Sequence, residues 1–347
     1  MNLDRPRRRL LQVAAGSAAA LAWPAWAQGP TLRDGAGRTV PLPRRVERVL
    51  PAGAPAAILL YTLAPDLLLG WPRANRPEEA QFLLPEVAAR PALGRLTGRG
   101  GGANLESVLA LKPDLIVDSG SVRATFVELA DRVQAQTGVP YALLDGRFPA
   151  IAASFEILGR LTGREARARE LATAADDALR TVRGRIDAVP ADKRPRVYYA
   201  RGPAGLQTGL GGSINVEILD VLGLNLVTAG TPGGLANVSL EQVLAWDPEV
   251  IVTIDRDFAA GVRDDPLWRG VRAVRDGRVH LSPKLPFGWV DFPPGVNRLP
   301  GLWWLGKVVF PERFPEDLAA LTKQWYRLLY HLEPTDAQVA QVLAGRG

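Results

Sequence analysis

Hydroxyl and guanidinium side chains gather where apolar strand signals give way to loops. Ser119, Ser121 and Arg123 follow the run Leu115–Val117, and Tyr199 and Arg201 end the run that begins at Arg196, with Gln207, Thr208 and Ser213 in the next loop. Such groups suit carboxylate, hydroxamate or oxyanion ligands, because each presents N–H or O–H donors to a negative oxygen. Arg99 stands beside Gly100-Gly101-Gly102, whose backbone N–H groups could cradle an anion. No Gly-Lys-Ser/Thr follows, so this is not a nucleotide phosphate loop. Asn237 precedes a helix signal, and a Pro/Gly/aromatic segment from Leu285 to Pro300 carries Phe287, Trp289, Asp291 and Phe292, with Lys284 just before it. The Trp289 indole could stack on a planar or bulky chelate. Each candidate also has a structural reading: a surface turn for the Gly run, capping for Ser121 and Asn237, an ion pair for Arg201, core packing for Phe287 and Phe292.

Several chemistries are excluded. There is no Cys, hence no disulfide, thiolate metal site or thiol nucleophile. His280 and His331 are the only histidines and lie far apart, so a metal site built from several His and carboxylates is not expected. No Gly-x-Ser-x-Gly elbow and no His-Glu-x-x-His occurs. No enzyme activity, no catalytic residue and no resident cofactor or metal is expected; a hydrolase is the alternative of a different class.

The net charge of +6 is half a property of the first 27 residues, where four Arg face one Asp. The remaining +3 makes no case for nucleic-acid binding. Arg5, Arg7, Arg8 and Arg9, an Ala-rich stretch from Leu10 to Ala22 and Ala25-Trp26-Ala27 read as an export signal cleaved after Ala27. Arg7-Arg8-Arg9-Leu10-Leu11-Gln12 is similar to a twin-arginine signal, an ordinary secretory signal being the alternative. A periplasmic, unanchored protein is expected.

The elements that must position these residues are legible as alternation. A hairpin over Thr31–Pro43 precedes strand and helix signals in turn: a strand at Val46–Leu50, an apolar helix at Ala56–Leu63, strands at Leu67–Trp71 and Leu115–Val117, a helix near Arg123–Thr137, a strand at Tyr141–Leu144. Asn104-Leu105-Glu106-Ser107-Val108-Leu109-Ala110-Leu111-Lys112-Pro113-Asp114 recurs as Ser239-Leu240-Glu241-Gln242-Val243-Leu244-Ala245-Trp246-Asp247-Pro248-Glu249. Each copy reads as a helix, a Pro stop and a buried strand, so two similar lobes with a cleft between them are expected. Arg164 to Ala188 has no Pro and one Gly, which predicts a rigid helix of about 37 Å, with Thr162 and Glu165 as its capping box. The expected divisions are 1–27 signal, 28–148 first lobe, 149–190 linker helices and 191–347 second lobe.

At this point the chain resembles the class III periplasmic binding proteins of ABC importers. The resemblance rests on the opening hairpin, Arg48-Val49 before the Pro51–Pro55 turn, Asn104-Leu105-Glu106 through Ile116, the Leu161-Thr162-Gly163-Arg164-Glu165 helix start, and Val238-Ser239-Leu240-Glu241-Gln242-Val243-Leu244. It implies two Rossmann-like α/β lobes joined by one rigid helix, a ligand held in the cleft, and a monomer that delivers a small metal complex to an inner-membrane permease. The cargo it implies is a metal chelate, first of all a ferric siderophore, with heme, cobalamin and molybdate or tungstate as alternatives. The resemblance also implies aromatic ligand contacts from the Phe287–Phe292 loop. It implies one acidic docking residue on each lobe, for which Glu78 or Glu79 and Glu217 are the positional matches.

Overall fold

The structure is a computed structural model that describes residues 30–97 and 105–345. The export segment, Arg99, the Gly100–Gly102 run and Asn104 lie outside the described residues. Two parallel sheets stand on either side of the linker in sequence. The first joins β3 (Val49–Pro51), β4 (Leu115–Gly120) and β5 (Tyr141–Asp145) in that order. Their registers, Leu50↔Ile116 and Ile116↔Tyr141, place continuous apolar runs on both buried faces. The second contains β6 (Arg196–Ala200), β8 (Asn225–Leu226), β10 (Val250–Thr253) and β11 (Val279–Leu281), ordered β11-β10-β6-β8. β7 (Gln207–Gly209) pairs antiparallel with β9 (Leu235–Asn237) beside it.

The hairpin of β1 (Thr31–Arg33) and β2 (Thr39–Pro41) is fastened to β5. The Asp34 carboxylate accepts from Ala36 N and Leu143 N at 3.0 Å and from Arg38 N at 2.9 Å, and Gly35 N donates to Leu143 O. A Cβ on Gly35 would lie 2.6 Å from Asp145 N, so this approach requires glycine.

The repeated segment performs the same structural task in each lobe. Its helices are Leu105–Ala110 and Leu240–Trp246. Each leads to a residue forced into the left-handed region, Lys112 at φ 46° and Asp247 at φ 40°, before its Pro. The next carboxylates clip the neighbouring strand: Asp114 accepts from Glu47 N and Arg48 N, and Glu249 from Arg196 N. Ser239 caps the second helix with Gln242 as its reciprocal partner, so Asn237 is not the cap.

The linker runs as Ile151–Thr162 followed by Glu165–Ile186, the latter about 33 Å long at 22 residues. The expected Thr162–Glu165 capping box does not form. Thr162 belongs to the preceding helix and its hydroxyl donates back to Leu158 O at 2.7 Å, while Gly163 ends that helix in the left-handed conformation. Leu67–Trp71 is not a strand either: Pro65–Leu67 forms a 3-10 turn, and only single bridges, Val49↔Leu68 and Trp71↔Ala92, continue the pairing.

One apolar core extends through both lobes and the linker. It contains the helix Ala54–Leu63, the linker face Leu171, Ala175, Leu179 and Val182, and the helices Leu299–Val309 and Leu318–Tyr330. Separating the lobes would expose this shared core, which restricts hinge motion.

Candidate ligand cleft

An open cleft of about 790 Å3 lies between residues 54–95 of the first lobe and 284–293 of the second. Its floor is the first turn of the helix Ala54–Leu63, through Ala54, Ala57 and Ile58. Unpaired N–H groups and the helix dipole make such an end favourable to negative charge. One wall is Trp71, whose Nε1 donates to Val87 O at 2.8 Å and whose backbone is held by Pro91 and Leu93. The Phe287 ring from the second lobe lies 6.0 Å from the Trp71 ring, so the aromatic wall spans both lobes. Arg95 belongs to a segment secured by Leu96 N and Thr97 N donating to Ala52 O.

Arg73, Arg76 and Glu79 form a single network at the rim. Arg73 grips Glu79 with two bonds of 2.7 Å, and Arg76 Nε and Nη2 reach Glu79 Oε1 at 3.0 and 2.9 Å. Burial alone would push the Glu79 carboxyl up; the Arg73 and Arg76 bonds outweigh it and hold the pKa below the usual value. Glu78 pairs with Arg76 at 3.1 Å. Among the described residues the cleft lining therefore holds Arg73, Arg76, Arg95 and Lys284 against Glu79 alone.

The second-lobe loop is anchored by Asp291. Its carboxylate accepts from Tyr199 Oη at 2.9 Å and Asn215 Nδ2 at 2.8 Å, and Arg201 Nε lies 3.4 Å away. Arg201 is 9 % exposed, and its Nε and Nη1 have no hydrogen-bond partner among the described residues. Gly288 is required where the loop doubles back, since a Cβ there would meet Asp291 O at 1.9 Å. Phe292 sits at φ +65° with its ring 55 % exposed at the cleft. A bulky residue in that region costs about 1–3 kcal/mol, and such strain is typical of ligand-clamping loops.

The structure gathers some of the expected residues and separates others. Tyr199, Arg201 and Ser213 meet around Asp291 and Asn215, next to the cleft but outside its lining. Phe287 lines the cleft. Trp289 is fully enclosed in the core, so the expected stacking indole is corrected: Trp71, Phe287 and Phe292 supply the aromatic surface instead. Ser119, Ser121, Arg123 and Asn237 do not line it; Ser121 Oγ instead accepts from Arg123 N and Nε. Glu79 and Glu217 are buried in ion pairs with arginine, which corrects their expected role as exposed docking acids. Glu78 remains on the surface. His280 and His331 both lie away from the cleft.

Sequence reasoning missed Trp71, Arg73, Arg76 and Arg95. The available signal was the run Trp71-Pro72-Arg73-Ala74-Asn75-Arg76-Pro77, two arginines between prolines, which reads as a rigid cationic loop.

Residues 60–285 match a family model described as periplasmic binding protein. The molybdate-binding protein MolA of Haemophilus influenzae is 27% identical over 256 residues, covering 68% of this chain and 72% of that protein. The Fe(3+) dicitrate-binding periplasmic protein FecB of Escherichia coli is 24% identical over 220 residues, 58% and 66% of the two chains. An ABC transporter solute-binding protein from Sulfurospirillum deleyianum superposes with a TM-score of 0.83 at 28% identity, covering 90% of this chain and 98% of that one. The fold, the two-lobe cleft and the matched span lead to one conclusion: the chain belongs to the periplasmic binding protein family, whose members serve ABC importers.

Proposed function

We propose that this protein captures an anionic metal chelate, a ferric siderophore of the carboxylate or hydroxamate kind, and delivers it to the permease of an ABC importer. The observation that carries this reading is the charge of the cleft: among the described residues four cationic side chains line it, and its one carboxylate is already held by two of them. The volume of about 790 Å3, with Trp71, Phe287 and Phe292 as walls, suits a bulky complex better than a bare tetrahedral oxyanion. A relative named for Fe(3+) dicitrate unites negative charge with chelated iron. Molybdate is the second reading, favoured by the cationic lining together with the relative named for molybdate.

Export is proposed to use residues 1–27, cleaved after Ala27, with release into the periplasm. For the permease, the repeat offers matched surfaces. Leu109 and Leu244 occupy equivalent positions and are 45 % and 38 % exposed, beside the exposed Glu106 and Glu241. One such patch on each lobe fits a partner with two similar halves.

Titration of the mature protein with ferric citrate, molybdate and cobalamin, followed by tryptophan fluorescence and thermal shift, tests the reading. Ferric citrate is expected to quench and to raise the melting temperature as it exceeds its Kd. Binding of cobalamin alone refutes it.

A further inference from the structure

Two cations face the cleft with no carboxylate within ion-pair distance among the described residues, and they come from opposite lobes. Arg95 lies exposed on the first-lobe segment tied to Ala52. Lys284 lies half-buried on the second-lobe loop, its Nζ 5.8 Å from the centre of the Phe292 ring. Arg73 and Arg76 differ from them, being engaged by Glu79 and Glu78.

The charges that face Lys284 are known. Arg76 and Arg73 repel it, while Asp255 and Glu79 attract it. Neither acid is free to pair with it: Asp255 caps its helix by accepting from Asp257 N and Phe258 N, and Glu79 is gripped by the two arginines. Burial first, and Arg76 next, push the Lys284 ammonium below its usual pKa. A charged group disfavoured in the empty cleft gains most when an anion arrives.

We propose that Lys284 and Arg95 act as a cross-cleft pair that selects polyanionic cargo. A ligand with at least two separated negative groups bridges both lobes. A neutral or singly charged ligand satisfies one cation at most and leaves the other facing its like-charged neighbours. This rests on the anionic-chelate reading and narrows it to a class, complexes with several free carboxylates or equivalent oxyanions.

The test uses the mature chain, ferric dicitrate as polyanion, acetate as monoanion and cobalamin as uncharged probe, with Lys284→Met, Arg95→Met, their double variant and Lys284→Arg. Lys284→Met is expected to weaken ferric dicitrate roughly tenfold to hundredfold, a range typical for one charge-assisted contact. It should flatten the salt dependence and leave the melting temperature of the empty protein no lower. Lys284→Arg should retain affinity. The double variant should lose less than the product of the two single losses, because one ligand spans both cations. Calorimetry over a series of alkaline pH values, in buffers of different ionisation enthalpy, should show proton uptake on binding for the natural protein and none for Lys284→Met.

Ferric dicitrate binding with unchanged affinity and unchanged proton uptake in Lys284→Met overturns the cross-cleft pair and leaves the anionic reading standing. Acetate binding as tightly as ferric dicitrate also overturns it. If the natural protein binds no anion, the anionic reading fails and this inference fails with it.

Discussion

Replacing Arg298 with Met should loosen the junction between the lobes in a pH-dependent way. Arg298 is fully buried. Its Nη2 donates to Gly146 O of the first lobe at 2.9 Å, and its Nη1 donates to Ile214 O of the second, also at 2.9 Å. Both nitrogens lie 3.3 Å from Glu217 Oε2, Nε donates to Gly295 O at 3.2 Å, and the guanidinium sits 4.3 Å over the Phe148 ring. Met fills comparable space but leaves three carbonyls without this donor. Among the described residues Glu217 then keeps the hydrogen bond from Phe148 N, 3.2 Å from each carboxylate oxygen, and the more distant charge of Arg147. Removing one partner of a buried pair costs about 3–5 kcal/mol, most of it from the charge left behind.

Burial already raises the Glu217 pKa, and Arg298 is the main counterweight, so the carboxyl rises further in the variant. A carboxyl raised in the folded state binds its proton more readily there than in the unfolded chain. Stability therefore falls as pH rises from the unfolded value of about 4.3 through the raised one. The penalty measured by urea unfolding should be largest near pH 8 and smaller near pH 5. Adding Glu217→Gln should recover about 1–2 kcal/mol at neutral pH, since no charge is then stranded. A penalty equal at pH 5 and 8, with no recovery in the double variant, would refute the reasoning.

Glu79→Gln should free Arg73 and Arg76, reduce stability by about 1–3 kcal/mol at pH 7, and strengthen ferric citrate binding, since the two released guanidiniums can then meet the anion. Because the Glu79 pKa is depressed, its contribution is present above the ordinary carboxylate range and vanishes in acid, so natural and variant unfolding midpoints should converge as pH falls through the folded value. Asp118, raised to about 6 by burial against bonds from Thr97, Tyr141 and Ser119, should cost stability as pH climbs from about 4 to about 6. That loss amounts to about 3 kcal/mol, and Asp118→Asn should abolish this slope in urea midpoints. Leu109→Asp with Leu244→Asp should leave ligand affinity unchanged and lower ligand delivery in a reconstituted permease assay; undiminished delivery would show that these surfaces do not dock.

The repeat, the strand–helix alternation and the linker were legible because their causes are local. A Pro stops each repeated helix, a carboxylate one residue on clips the adjacent strand, and a long run without Pro sustains Glu165–Ile186. Capping was less secure: Thr162 could serve either helix, and the choice went to the chain geometry at Gly163. The cleft was only half visible. Its second-lobe loop could be named from its aromatics, but which ring faces ligand depends on what packs behind it. Trp289 turned into the core and Phe292 turned out. The fate of the acids was hidden for the same reason. Glu217 meets Arg298 from 81 residues away, and Glu79 is claimed by two arginines whose loop is held by the segment at Pro91–Leu93. The amino-acid sequence by itself thus determined the lobes and their linker, since periodicity, Pro and Gly act within a few residues. Only the tertiary structure decided which charges were consumed in buried pairs and which were left to meet a ligand, because a charge is neutralised by whatever element packs against it.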